Sequence, residues 1–275
     1  MLRARVLTAL VLGPALLAAV WFLPTGAVAA ILAAVAGLAA WEWTSLMGLR
    51  DAGARVLALT LFAVTLAGGW ALLEIDGAAP LALALAAGWW GVAALWTVAY
   101  GLGRGDDPPP LALAAIVGWF VLWPCWLALV YLHGHTPWGP FWLTFLFLLV
   151  WAADIGAYFA GRAFGRHRLA PRISPGKTWE GVAGGAVLAV LVGVLFVAVL
   201  APQGPPWIVL LPLLVGVVAI SVVGDLFESM LKRRGGMKDS GGILPGHGGI
   251  LDRVDSLTAA GPLLAAGLAW WQLTL

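Results

Sequence analysis

Charged side chains are scarce in this chain: they make up 10% of its 275 residues, where a soluble domain averages about a quarter. So few charges cannot cover a surface that faces water, which excludes a string of ordinary soluble domains. Cysteine is nearly absent as well. The single Cys125 lies in an apolar run, so no intramolecular disulfide can form and the count says nothing of redox compartment. The net charge of +2 is small, and where the charges fall matters more than their sum.

What the chain has in abundance is apolar surface, 62% of residues, with a mean hydropathy of +0.98. A bilayer core takes roughly 20 apolar residues per helical span, so the length allows about nine spans with short loops. That predicts one polytopic, all-α membrane domain over residues 1–275. The 17 tryptophans suit interfacial belts, with Trp41, Trp43, Trp89, Trp90, Trp270 and Trp271 expected near span ends.

Nine apolar runs read as spans: Val6–Leu23, Ala27–Leu49, Val56–Leu73, Ala79–Leu102, Leu111–Leu132, Pro140–Ala160, Val182–Leu200, Trp207–Leu231 and Val254–Leu275. Ala27-Val28-Ala29 could pass for a signal-peptidase site, but the preceding run is longer than an ordinary signal core and spans unaided. A retained first helix is expected. With the amino terminus in the cytosol, all 15 basic residues fall in cytosolic segments, ten of them in loops 161–181 and 232–253. The opposite loops carry only Glu74 and Asp76 as charges. That bias follows the positive-inside rule. In the seventh span Gly181, Gly185, Ala189 and Gly193 recur every four residues, a spacing that lets helices approach closely, within the chain or across a dimer seam.

An ionisable group inside the membrane costs about 2.5–3.5 kcal/mol even on a lenient scale. Glu42, Asp154, Asp225, Glu228 and Asp255 lie within spans or at their cytosolic ends. Glu42, near a helix end, could snorkel, pair with an interfacial arginine, or be functional. Asp154 sits about two turns inside its span, too deep for so short a side chain to snorkel. Asp225 and Glu228 share a helix face, and Asp252 and Asp255 repeat their spacing. Carboxylates crowded at one membrane face repel unless cations lie among them. Hard oxygen donors of this kind suit Mg²⁺, which binds one or two carboxylates plus substrate phosphates; partnership with Arg233 and Arg253 is the structural alternative.

From Lys232 to Asp252 the chain combines lysines and arginines with seven glycines and His247. Such a backbone can turn its N–H groups toward an anion, and it leads into a helix N-terminus that favours phosphate. A flexible positive-inside loop would explain the basic residues but not the glycines, His247, Asp239 or Asp252. In the other large loop, Gly176-Lys177-Thr178 suggests a Walker A loop, but Pro171 stands where its first glycine should be. Ser174 followed by Pro175 suits an N-cap and first helical turn instead, which leaves Lys177 near a helix start. His133 and His135 fall on the opposite face and read as a chance pair rather than a metal site.

With these residues in hand, Ser229-Met230-Leu231-Lys232-Arg233, then Lys238-Asp239, and His247 through Asp255 resemble the signature of phosphatidate cytidylyltransferases, also called CDP-diacylglycerol synthases. Ser174 through Gly181 resembles a second motif of that family, and Asp154 with Gly156 a third. The resemblance is carried by residues 141–275; residues 1–140 match in hydropathy, span number and an acidic-aromatic patch at Glu42. It implies transfer of CMP from CTP to phosphatidate with Mg²⁺, in a homodimer of the cell membrane whose active site faces the cytosol, with no nucleic acid as partner. Metal binding is assigned to Asp225 and Asp252, with Asp255 and Asp154 as second choices. Lys177, Lys232, Arg233, Lys238 and Arg253 are expected to hold phosphates. Ser174, Thr178, Gly246, Gly248 and Gly249 are expected to seat the nucleotide, and His247 to donate to a phosphate. A related CTP-using lipid enzyme, acting on an ether lipid or a prenol, is the nearest rival. A transporter should carry its charges near the midplane, whereas these concentrate at one face.

Overall fold

The computed structural model describes residues 2–105, 107–136, 138–200, 205–243 and 248–273. Among them are nine helices, α1 (Leu2–Phe22), α2 (Thr25–Leu46), α3 (Ala52–Leu73), α4 (Ala78–Gly101), α5 (Leu111–Gly134), α6 (Gly139–Phe164), α7 (Trp179–Leu200), α8 (Trp207–Arg234) and α9 (Leu251–Leu273). Each apolar run falls on one helix. The widest boundary differences are Val6 against Leu2, Val56 against Ala52 and Ala160 against Phe164. Seven helices, α2 to α8, are long and apolar enough to cross a membrane. The all-α expectation needs one amendment, a two-stranded antiparallel hairpin of β1 (Arg168–Ala170) and β2 (Ser174–Thr178) between α6 and α7.

The chain divides into two compact units. The first comprises Met1–Ala79, Asp107–Thr144 and Leu231–Val254. Here α2, α3 and α5 pack on one another. Apolar surface gives helices no reason to associate in lipid, so close packing and hydrogen bonds must do so. Three indoles supply the bonds: Trp43 Nε1 donates to Ala114 O (2.9 Å), Trp126 to Ala29 O (3.1 Å) and Trp123 to Thr65 O (2.7 Å). Asp51 caps α3 by accepting from Ala54 N at 2.7 Å. One turn on, Arg55 lies 3.5 Å over the Trp41 ring and donates to Thr44 Oγ1, Ser45 Oγ and Trp41 O. His133 bonds Thr25 Oγ1 and Val20 O, a helix-packing role that fits a chance histidine pair.

The second unit comprises Pro80–Asp106, Phe145–Met230 and Asp255–Leu275. Its α6–α7 seam is built from small residues. A Cβ at Gly156 would meet Gly184 O at 2.7 Å, and one at Gly181 would meet Ala157 O at 3.0 Å. Gly193 faces Leu149 and Leu214. The small-residue stripe of α7 is therefore buried by packing inside the chain, not left for a second copy. On α8 and α9, Gly224 abuts Asp255 O and Ala259, and Gly216 faces Leu263. Trp89, Trp90 and Trp96 stand edge-on around Phe227 at 5.7–6.3 Å between centroids. The expectation of Trp89 and Trp90 at a span end is thus corrected: they lie midway along α4, where their rings pack edge-on against Phe227.

Candidate active site

In the second unit the chain ahead of α7 is extended. Ser174–Thr178 pairs with Arg168–Ala170 in the register Arg168↔Thr178 and Ala170↔Ser174. This overturns the reading of Ser174 as an N-cap. The reason is local: a proline disfavours helical backbone in the residue before it, and Ile173, 1% exposed, is fixed inward. The cap falls four residues later, where Thr178 Oγ1 accepts from Gly181 N at 3.1 Å. The hairpin is braced on both sides. Arg168 Nη1 donates to Pro175 O at 2.6 Å, and the Glu180 carboxylate accepts from Arg166 N (3.1 Å) and His167 N (3.2 Å) and pairs with His167 Nδ1 (2.5 Å). These braces hold the strand that presents Lys177.

A cleft of about 410 Å³ opens beside that strand, lined by Asp154 of α6, Lys177 and Thr178, Ser221 and Asp225 of α8, and Ser256 of α9. Lys177 Nζ lies 2.5 Å from Asp225 Oδ2, and both side chains keep about a quarter of their surface exposed. Ser229 Oγ donates to Asp225 Oδ1 at 3.3 Å. The Asp255 carboxylate lies within electrostatic reach of Asp225, Glu228 and Lys177. A larger cavity, about 1100 Å³ between α2 and α3 of the first unit, has no ionisable side chain in its wall.

The first unit holds the glycine-rich loop. Helix α8 stops at Arg234; Gly236, two residues on, has a φ of 69°, the left-handed conformation that follows a helix end, and Met237 N donates back to Lys232 O at 2.8 Å. Lys232 Nζ meets Asp252 Oδ1 at 2.5 Å, while Asp252 Oδ2 accepts from Ser240 N (3.1 Å) and Gly249 N (3.0 Å). Gly248, at φ 80°, turns the chain so that these bonds can close. Asp252 precedes the apolar run that starts at Val254. Burial pushes its carboxyl up, but the Lys232 ammonium and the two amides outweigh burial and hold it down at about 2. Arg233, Lys238 and Arg253 are exposed. Gly246 and His247 lie outside the described residues.

The structure thus brings Asp154, Lys177, Thr178 and Asp225 to one cleft, with Asp255 close by, and gathers Lys232 at the end of α8, Gly248 and Gly249 of the loop, and Asp252 at the start of α9. Ser174 stays in the hairpin and does not line the cleft. Among the described residues Glu42 neither snorkels nor pairs with an arginine. It is 2% exposed and accepts from Ser240 Oγ and Leu251 N, residues 198 and 209 positions away. No local signal announces such partners.

No group of three His, Cys, Asp or Glu side chains at ligand spacing occurs among the described residues. Mg²⁺ takes one or two carboxylates with phosphate oxygens. The cleft offers Asp154 and Asp225 for it. Asp252 is more committed: of about four lone-pair sites on a carboxylate, three already receive hydrogen bonds.

Seven helices long and apolar enough to cross a membrane, with lysines set against carboxylates, describe a membrane protein with a polar site, and comparison with known proteins places it among the nucleotidyltransferases. The chain belongs to the cytidylyltransferase family, whose profile matches residues 3–271. It is 42% identical over 272 residues to a phosphatidate cytidylyltransferase of Pseudomonas aeruginosa, covering 98% of this chain and 97% of that one. Proteins of the same description from Haemophilus influenzae (39% identical, 96% and 98% covered) and Brucella suis (41%, 96% and 92%) are similarly close. These matches run through the first 140 residues, where the resemblance had rested on hydropathy and one acidic-aromatic patch.

Proposed function

We propose that this chain transfers CMP from CTP to phosphatidate, giving CDP-diacylglycerol and pyrophosphate. Beyond the relatives, the observation that carries this is the Lys177–Asp225 pair, left partly open in a cleft that Asp154 also lines. A lysine so placed can turn from its carboxylate to a phosphate. In the reaction a phosphate oxygen of phosphatidate attacks the α-phosphorus of CTP, and the bond to the bridging oxygen breaks so that pyrophosphate leaves. A phosphate monoester carries about −1.5 to −2 at neutral pH, so it is already a nucleophile and needs no strong general base. The obstacle is repulsion between two polyanions, and charge neutralisation with positioning is what a protein can supply.

In this scheme Lys177, Arg233, Lys238 and Arg253 hold phosphates, while Thr178 and the glycines Gly246, Gly248 and Gly249 seat the nucleotide. His247 donates to the leaving pyrophosphate. Lys232 holds Asp252 and thereby the loop. Magnesium would be held by Asp225 with Asp154 or Asp255, or at the remaining site of Asp252, and when bound would neutralise triphosphate charge. Nine spans, a cytosolic amino terminus and cytosolic loops at 161–181 and 232–253 belong to the same reading; charge asymmetry supports them, and CTP is available on that side. The family resemblance supports a homodimer.

The test uses purified protein in detergent. Pyrophosphate release from CTP should require phosphatidate and magnesium; release with an ether-lipid or prenol acceptor but not phosphatidate would overturn the substrate assignment. Sidedness is read by single cysteines, since Cys125 is buried. A cysteine at Asp76 should react with an impermeant thiol reagent in intact cells, and one at Gly242 only after permeabilisation.

A further inference from the structure

We propose that Glu42 is a positioning residue for this reaction: its buried carboxylate sets the shape of the glycine-rich loop and the start of α9, and through them the place of Asp252. The inference rests on the function proposed above. Glu42 Oε2 accepts from Leu251 N at 2.8 Å and from Ser240 Oγ at 3.1 Å. Leu251 N is one of the first-turn amides of α9, which have no partner within the helix, and the helix dipole favours a negative charge at that end. Ser240 joins the two acids, its hydroxyl bonding Glu42 and its amide bonding Asp252 Oδ2 at 3.1 Å. One carboxylate on α2 therefore fixes the residue before Asp252 in sequence and a loop residue that Asp252 itself binds.

The glycines carry the same message. A Cβ at Gly249 would overlap Glu42 Oε2 and Ser240 Oγ, and one at Gly241 would overlap Glu42 Oε1. At Gly241 the three atoms nearest that Cβ all belong to Glu42, whereas at Gly242 a Cβ would meet nothing within 4 Å. Gly241 and Gly249 are thus glycines because a carboxylate lies against the chain there, which is a different requirement from flexibility.

The test is a double-mutant cycle with two readouts. Glu42→Ala and Gly241→Ala should each lower kcat/KM for CTP by about ten- to a hundred-fold, the size expected when hydrogen bonds to a charged group are lost. In the Glu42→Ala background, Gly241→Ala should add nothing, because the atoms it would strike are gone. Glu42→Gln, which keeps an oxygen acceptor for Leu251 N and Ser240 Oγ, should recover most of the activity. Hydrogen exchange at Ser240 and Leu251 reads loop order without any substrate and should quicken in Glu42→Ala. Unchanged exchange there, or a Gly241→Ala defect equal in both backgrounds, overturns the role. Should Glu42→Ala not accumulate, Gly241→Ala against Gly242→Ala decides: only the former should quicken exchange, and equal behaviour overturns the role. A wild-type protein inactive toward CTP with phosphatidate would refute the function, while the exchange data would still report on Glu42 and the loop.

Discussion

Two lysine–carboxylate pairs in this protein have the same N–O separation, 2.5 Å, and opposite surroundings. Lys232 and Asp252 are each about 10% exposed, and Asp252 takes two backbone amides besides the ammonium. Lys177 and Asp225 are 25% and 28% exposed, and Asp225 has one further bond, a long one from Ser229. A buried ion pair holds only when its remaining lone pairs are satisfied, and losing one partner then strands a charge. The first pair meets that condition and anchors a loop. The second is loosely satisfied beside a cleft, so phosphate oxygens or a cation can replace either partner at little cost. Distance alone does not separate the two pairs; exposure and the count of supporting hydrogen bonds do.

Substitutions can break that comparison. The largest effect is expected for Lys232→Ala, which strands Asp252 and should cost about 3–5 kcal/mol, read as a lower unfolding midpoint in detergent. An unchanged midpoint would mean that the loop does not depend on the pair. Lys177→Ala should lower kcat/KM for CTP by about ten- to a hundred-fold, a lost charge-assisted contact of about 1.5–3 kcal/mol, with the midpoint unmoved. If the midpoint falls as far as in Lys232→Ala, the two pairs are of one kind. Lys238→Ala, in an exposed loop position, should lose about tenfold at most because solvent screens its charge, and Lys238→Arg should recover part of it.

Acid sharpens the same contrast. The carboxyl of Asp252 sits at about 2 against an ordinary 3.8. A lowered value means that its contribution is full above about 3.8 and is lost as pH falls through about 2. Hydrogen exchange of the loop should therefore stay slow from neutrality down through the ordinary carboxylate range. In Lys232→Ala, without the ammonium, loss should begin at higher pH. The smallest effect belongs to Arg50→Ala. Arg50 is exposed and outside both sites, so kinetics and midpoint should match wild type; a deficit there would show that cytosolic basic charge as such supports activity.

The helices were legible because hydropathy is local. A run such as Leu111–Leu132 must bond its own backbone in lipid wherever its neighbours stand, and a helix does so within the segment. The acids were legible as a set for a related reason: an ionisable group on an apolar helix has to be explained, whichever partner it meets. The hairpin was less so. Ser174-Pro175 carries the residues of a helix start, and only the pairing of Arg168 with Thr178 and the burial of Ile173 decided for a strand.

Partner choice lay beyond the sequence. Composition and spacing singled out Asp225, Asp252 and Lys177, and the family resemblance assigned both aspartates alike to metal. Tertiary structure gave one a lysine from a strand 48 residues upstream and the other a lysine from the end of α8 with two amides from the loop that follows. Glu42 shows the same divide. Its burden, a charge in a membrane helix, is written in the sequence. Its use, closing a loop about 200 residues away, depends on which surfaces the folded chain brings together, because hydrogen bonds act over about 3 Å and no pattern along the chain records that proximity.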